Sequence, residues 1–146
     1  LLIIGSGTLE NKLKELTSKL KLNKNIVFIG FLSNHALPKY YATADIFIGP
    51  SIISKGGDRD GLPVTFMEAI ACGCPVIASD LHGNRDIITN EINGLLIKQK
   101  DSKDIEAKII SGLRNRWNRN KIADFAKNNY SWEIIKNKYF AVYSSL

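Results

Sequence analysis

Cysteine is scarce in this sequence of 146 residues, and the two that occur, Cys72 and Cys74, stand only two positions apart. That spacing is too short for a comfortable disulfide, so no disulfide framework is expected and both read as small buried residues. Histidine is equally sparse. His35 and His82 are isolated from each other and from any Cys pair, so no zinc set assembles, and each reads as a loop or helix-end residue. No stretch approaches the ~18 consecutive apolar residues of a membrane-spanning helix, and no cleavable leader opens the sequence. Cytoplasmic residence is therefore expected. Repeats and linkers are missing as well, and with 45% hydrophobic residues the composition suits one domain over residues 1–146. A full dinucleotide fingerprint is lacking too. Gly5-Ser6-Gly7 is followed at the next fingerprint position by Glu10, which weighs against an epimerase-type enzyme, and no lysine is placed to hold a pyridoxal cofactor.

Positive charge is in excess, with 20 Lys and Arg against 14 Asp and Glu, for a net charge of +6. The basic residues gather loosely between Lys12 and Lys24 and again between Lys98 and Lys121. Such faces attract anionic headgroups, nucleic acid or phosphorylated substrates, but dispersed lysines are more often solvated surface. No nucleic-acid partner is expected.

Short apolar runs alternate with helical patterns. Leu1-Leu2-Ile3-Ile4 has the pattern of a buried parallel strand, and Leu9, Leu13, Leu16 and Leu20 mark an amphipathic helix after it. The run opens abruptly, without Met or lead-in, as in a chain cut from something longer. Asn25 to Gly30 is a second strand, Leu37 to Thr43 a helix with Tyr40 and Tyr41 on its packing face, and Ala44 to Pro50 a third strand. Cys74 to Ala78 forms a fourth, and a short helix and a turn with Gly94 at its corner lead to another. Asp101 caps a helical remainder. There Ile105, Ile109, Ile110 and Leu113 form one apolar stripe, and Ile122, Phe125 and Ala126 a second. Ser131 opens a last helix whose Ile134, Ile135, Tyr139, Val142 and Tyr143 suit packing. The fold class is α/β, an open parallel sheet with flanking helices and a helical C-terminus. In such sheets ligands collect beyond the carboxyl ends of strands, so Gly5 to Thr8, Gly30 to Ser33, Pro50 to Pro63 and Ser79 to Asn84 are expected to border one crevice.

The chain is organised around Pro50 to Ser79, which reads as strand end, glycine-rich loop, helix, tight turn and strand. Pro63 suits the first helical turn, and Gly61 lets a ligand approach the backbone. Free N–H groups at Leu62, Val64 and Thr65 and the positive dipole end of the helix that Pro63 opens make a phosphate site, bracketed by the acids Asp60 and Glu68. Glu68 lies roughly 8 Å further along the helix at ~1.5 Å per residue, about the step from a diphosphate to a ribose. Carboxylates beside a phosphate are better used to accept hydrogen bonds from hydroxyls. The alternative is that Asp60 caps the helix and Glu68 is a solvated acid.

Asp60-Gly61-Leu62-Pro63, then Glu68-Ala69, Gly73 and Pro75-Val76-Ile77-Ala78 resemble the donor-binding signature of the GT-B retaining glycosyltransferases of glycosyltransferase family 4. The family's two glutamates are separated by seven residues; this chain keeps the spacing with Asp60 in the first place. His82-Gly83-Asn84-Arg85-Asp86 matches the family's next motif in part, and Ser131-Trp132 is similar to the end of its donor domain. The resemblance implies a Rossmann-like fold, the C-terminal half of GT-B, missing its upstream side and the acceptor domain. It implies that Gly30, Phe31 and Leu32 meet the base through backbone groups, that Gly61 to Thr65 meet the diphosphate, that Glu68 holds the ribose and that Asp60 holds the sugar. Asp60 and Glu68 are thus the catalytic candidates. The implied donor is a UDP-, GDP- or ADP-sugar, with no metal or other cofactor. The implied partners are an acceptor domain, on the same chain or as a separate subunit, and a peripheral contact with the inner face of the membrane. The family's diphosphate-neutralising Arg and Lys would lie upstream of Leu1. Surface-polysaccharide or lipopolysaccharide synthesis is the implied setting. The alternative is a non-catalytic remnant or regulatory nucleotide-binding module of the same fold.

Overall fold

The computed structural model describes residues 1–53, 56–57 and 62–145. It comprises two units, residues 1–37 and 38–146. In the first, strands β1 (Leu2–Ile4) and β2 (Val27–Gly30) run parallel, with helix α1 (Glu10–Lys19) between them in sequence. The Gly5 N–H donates to the Gly30 carbonyl at 2.7 Å, which extends the ladder past its last strand residue. Thr17 turns its hydroxyl back onto the Leu13 carbonyl at 2.8 Å and is buried, while Lys14 pairs with Glu10 one turn away at 2.6 Å.

Two expectations are corrected here. The apolar run at the start predicts a buried strand, yet Leu1 and Leu2 are exposed and Ile3 and Ile4 half-buried, because among the described residues β1 pairs with β2 alone. The leucine stripe does form a helix, but Leu9, Leu13, Leu16 and Leu20 face solvent.

The second unit carries α2 (Leu37–Thr43), β3 (Phe47–Gly49), α3 (Val64–Ala71), β4 (Val76–Ser79), α4 (His82–Ile87) and β5 (Gly94–Ile97). Helices α5 (Ser102–Arg114), α6 (Arg119–Tyr130) and α7 (Trp132–Tyr143) follow. The sheet is parallel throughout, in the order β3-β4-β5, with Phe47 opposite Val76 and Val76 opposite Gly94. Central β4 is buried along its whole length, as a parallel strand covered on both faces must be. Ile77, Leu95 and Ile97 form the core, packed by Ile46, Ile48, Ile105, Ile109 and Trp117. Full burial of side chains such as Ile77 and Ile97 stabilises the fold by about 1.5–3 kcal/mol each.

Asn93 holds the approach to β5. It is fully buried, accepts from the Thr89 N–H at 2.8 Å and donates to the Ile87 carbonyl at 3.0 Å, so both the oxygen and the nitrogen of its amide have a partner. Gly94 is not at the corner of a turn. It is the first residue of β5, and glycine is required there because a Cβ would strike the Val76 carbonyl oxygen.

Asp101 caps α5 by accepting from the N–H groups of Lys103 and Asp104, and Ser131 caps α7 by accepting from Ile134, both as expected from the sequence. The α5 stripe is only half used: Ile105 and Ile109 pack on the sheet, while Ile110 and Leu113 are exposed. On α6, Ile122 and Ala126 are buried and Phe125 meets Tyr130 edge to face. The last helix departs furthest from expectation. Ile134 and Ile135 are half-buried, but Tyr139, Val142 and Tyr143 are exposed, because α7 packs against α6 and nothing described covers its other face.

Candidate functional site

The carboxyl ends of the strands gather the expected segments two by two. In the first unit Gly5 and Gly30 adjoin at the ends of β1 and β2, and in the second Gly49 and Ala78 pair where β3 and β4 end. Beyond β3 the Ile53 N–H donates to the Gln99 side chain at 3.0 Å, which ties the start of the loop to the exit of β5. Asp60 and Gly61 lie outside the described residues.

Pro63 is the N-cap of α3 rather than part of its first turn, with φ −66° and ψ 112°. The ring fixes φ where the chain must change direction, and its carbonyl accepts the Phe66 N–H at 3.1 Å. Among the described residues no side chain caps the helix. Among the described residues no acceptor meets the N–H groups of Leu62, Val64 or Thr65, and the side chains of all three are exposed. The end of α3 therefore presents donors and a positive dipole to solvent.

Glu68 stands four residues further on and is half-buried. Its Oε2 accepts the hydroxyl proton of Tyr41 at 3.2 Å. Burial first, and the Glu68 charge second, push the Tyr41 phenol well above its ordinary value, so it stays a donor at neutral pH. Sequence reasoning treats Tyr41 as packing alone; the distance to Glu68 is what reveals the second role.

Behind Glu68, α3 ends at Gly73, whose φ of +72° lets the chain turn into β4. Cys72 is half-buried and Cys74 fully buried, and both are free. Burial pushes the Cys74 thiol up to about 11, and burial with the Glu68 charge raises Cys72. Neither is a nucleophile at neutral pH. Arg119, at the start of α6, donates to three carbonyls at the end of α2: Ala44 at 2.8 Å, Ala42 at 2.8 Å and Tyr41 at 3.2 Å. The pattern of apolar residues gave no sign of it.

After β4, Asp80 is held by a two-bond pair with Arg85, Nε to Oδ1 at 2.5 Å and Nη2 to Oδ2 at 2.9 Å, which keeps its carboxyl below the usual range. Asn84 is fully buried and donates to the Ser79 carbonyl at 2.8 Å. Gly30, Phe31 and Leu32 belong to the first unit. Gly30 has φ +78°, Phe31 is 80% exposed and Leu32 is half-buried, so Phe31 has no packing role there. Among the described residues no group of His, Cys, Asp and Glu is arranged to hold a metal.

A parallel α/β unit that places an uncapped helix end and a carboxylate after the loop at a strand's carboxyl end is the kind of domain that binds phosphorylated nucleotides. The sequence model of the family "Glycosyl transferases group 1" matches residues 1–132, and the chain belongs to that family. It is 35% identical over 105 residues to the amylovoran biosynthesis glycosyltransferase AmsK of Erwinia amylovora, covering 72% of this chain and 26% of AmsK. It is 31% identical over 147 residues to the uncharacterized glycosyltransferase MJ1607 of Methanocaldococcus jannaschii, covering 98% of this chain and 36% of that one. The chain thus spans about a quarter to a third of these relatives. Among solved structures it superposes on the lipopolysaccharide outer core galactosyltransferase WaaB with a TM-score of 0.81 and 23% identity, covering 100% of this chain and 41% of WaaB. On Anabaena HepE in complex with UDP-glucose the TM-score is 0.79 with 19% identity, covering 99% of this chain and 40% of that one. The fold, parallel sheets flanked by helices, is thus that of GT-B neighbours.

Proposed function

We propose that this chain is the donor-binding domain of a retaining glycosyltransferase of family 4. The sugar passes from a nucleoside diphosphate to an acceptor in the synthesis of bacterial surface polysaccharide or lipopolysaccharide. The observation that carries the reading is the start of α3, where uncapped N–H groups stand four residues before a half-buried carboxylate. A diphosphate at the helix end and a ribose at Glu68 match that arrangement in charge and in reach. HepE, which binds UDP-glucose, and WaaB, a lipopolysaccharide outer core galactosyltransferase, support the donor class and the setting.

In transfer, the bond from the anomeric carbon to the diphosphate oxygen breaks as the acceptor hydroxyl attacks from the same face and passes its proton to the departing diphosphate. Negative charge grows on the departing diphosphate. The N–H groups of Leu62, Val64 and Thr65 meet that charge, so they stabilise the transition state more than the bound donor. Glu68 accepts from the ribose hydroxyls and Asp60 from those of the sugar. The scheme uses no metal and no cofactor beyond the donor substrate. An acceptor domain, on the same polypeptide or on a separate subunit, completes the enzyme in the cytoplasm at the inner face of the membrane, and the chain alone is inactive.

Titrating UDP, GDP and ADP into the chain by calorimetry tests the reading. One base is expected to be preferred, and Glu68→Gln is expected to weaken its binding by about 1.5–3 kcal/mol through loss of charge-assisted acceptance. Unchanged affinity in the variant would remove the ribose role. Asp60 in place of the family's glutamate favours a second reading, a nucleotide-binding module without transfer; binding that yields no transfer once an acceptor domain is supplied would select it.

A further inference from the structure

We infer that Tyr41 is a positioning residue for Glu68, fixing which carboxylate oxygen is offered to the nucleotide's ribose. The inference rests on the donor-site reading above and deepens it. Tyr41 is 6% exposed, and its hydroxyl donates to Oε2 of Glu68 at 3.2 Å. Among the described residues no other donor reaches Glu68, and none of them takes up Oε1.

The tyrosine is itself held at its ring and at its backbone. Its ring meets Phe47 edge to face at 5.4 Å, and Phe47 meets Phe66 at 5.9 Å, so one aromatic row joins α2, β3 and α3. Phe66 lies two residues before Glu68 on the same helix. Its ring fills the space beside Gly49 in which a Cβ would sit. On the backbone side, the Tyr41 carbonyl is held by Arg119 at 3.2 Å. A free glutamate samples many rotamers, and a ribose diol would have to select one of them; here one oxygen is already committed and the other is left in a defined place. That is preorganisation, and its effect is on affinity for the hydroxyls rather than on the fold.

The experiment compares the preferred nucleoside diphosphate among UDP, GDP and ADP with its 2′,3′-dideoxy analogue. Wild type, Tyr41→Phe and Glu68→Gln are titrated by calorimetry, and thermal midpoints are recorded for each. Tyr41→Phe keeps the ring and its aromatic row, so its midpoint is expected to stay near that of wild type. Its preference for the ribo form over the dideoxy form is expected to shrink on the order of tenfold, the loss of one hydrogen bond to a charged group. Affinity for the dideoxy probe is expected to be unchanged, whereas a purely structural role would weaken both probes together.

A full ribose preference in Tyr41→Phe, with that preference lost in Glu68→Gln, overturns the positioning role and leaves the donor-site reading standing. Parallel weakening of both probes in Tyr41→Phe also overturns it. A wild type that does not distinguish the two probes, or binds neither, overturns both.

Discussion

The backbone oxygen of Arg119 crowds the place where any side chain at Gly73 would begin: a Cβ there would lie 2.7 Å from it. The turn out of α3 and the start of α6 are therefore fitted to each other at backbone distance. Glycine meets two demands at that point, the left-handed φ of +72° and the missing side chain.

Gly73→Ala is expected to destabilise the fold by about 2 kcal/mol or more, because a strained φ and a backbone contact are imposed together. The midpoint of urea unfolding measures it. An unchanged midpoint would show that α6 can move away from the turn.

Arg119→Lys is expected to cost about 1.5–3 kcal/mol despite the retained charge. A single ammonium on a flexible stem does not reproduce a planar fork that reaches the carbonyls of Tyr41, Ala42 and Ala44. Urea unfolding of this variant beside Arg119→Met separates charge from geometry: the two are expected to fall close together.

Stability is expected to fall in alkali in two stages. The thiols of Cys72 and Cys74 are raised from 9.0 by burial, Cys74 to about 11, so above pH 9 the unfolded chain releases protons that the folded chain retains. Tyr41 and Tyr130 are raised from 10.0, again by burial first, and add to the slope above pH 10. In each case the stabilisation is complete below the unfolded value and is lost as pH climbs toward the folded one. Unfolding free energies followed from pH 8 upward test this, and Tyr41→Phe is expected to flatten the curve above pH 10 only.

The parallel strands and helix starts were legible because their signals are local. Asp101 and Ser131 cap helices through their own side chains, and the apolar run of Val76 to Ala78 has no polar position to turn outward. What covers an apolar stripe is not local. The spacing of Leu9, Leu13, Leu16 and Leu20 specifies a helix, and that of Tyr139, Val142 and Tyr143 another, but neither names the surface that meets it. Tyr41 was hidden for a related reason. Its pairing with Glu68 spans 27 positions, and an aromatic residue on a helix face gives no sign of what its hydroxyl reaches. The polar core residue Asn93 gave no local signal either, since its two side-chain bonds depend on how β5 is entered.

The end of α2 depends on a residue made much later. Its carbonyls at Tyr41, Ala42 and Ala44 are met by Arg119, 75 to 78 positions downstream. As the chain leaves the ribosome, the Tyr41 and Ala42 carbonyls lack their Arg119 partner until α6 emerges, so the end of α2 is completed late in synthesis. A stalled or prematurely terminated chain ending before Arg119 would hold Pro63 and Glu68 yet leave Tyr41 without its anchor. Nascent-chain proteolysis would then show protection at α2 rising only once Arg119 is free of the tunnel.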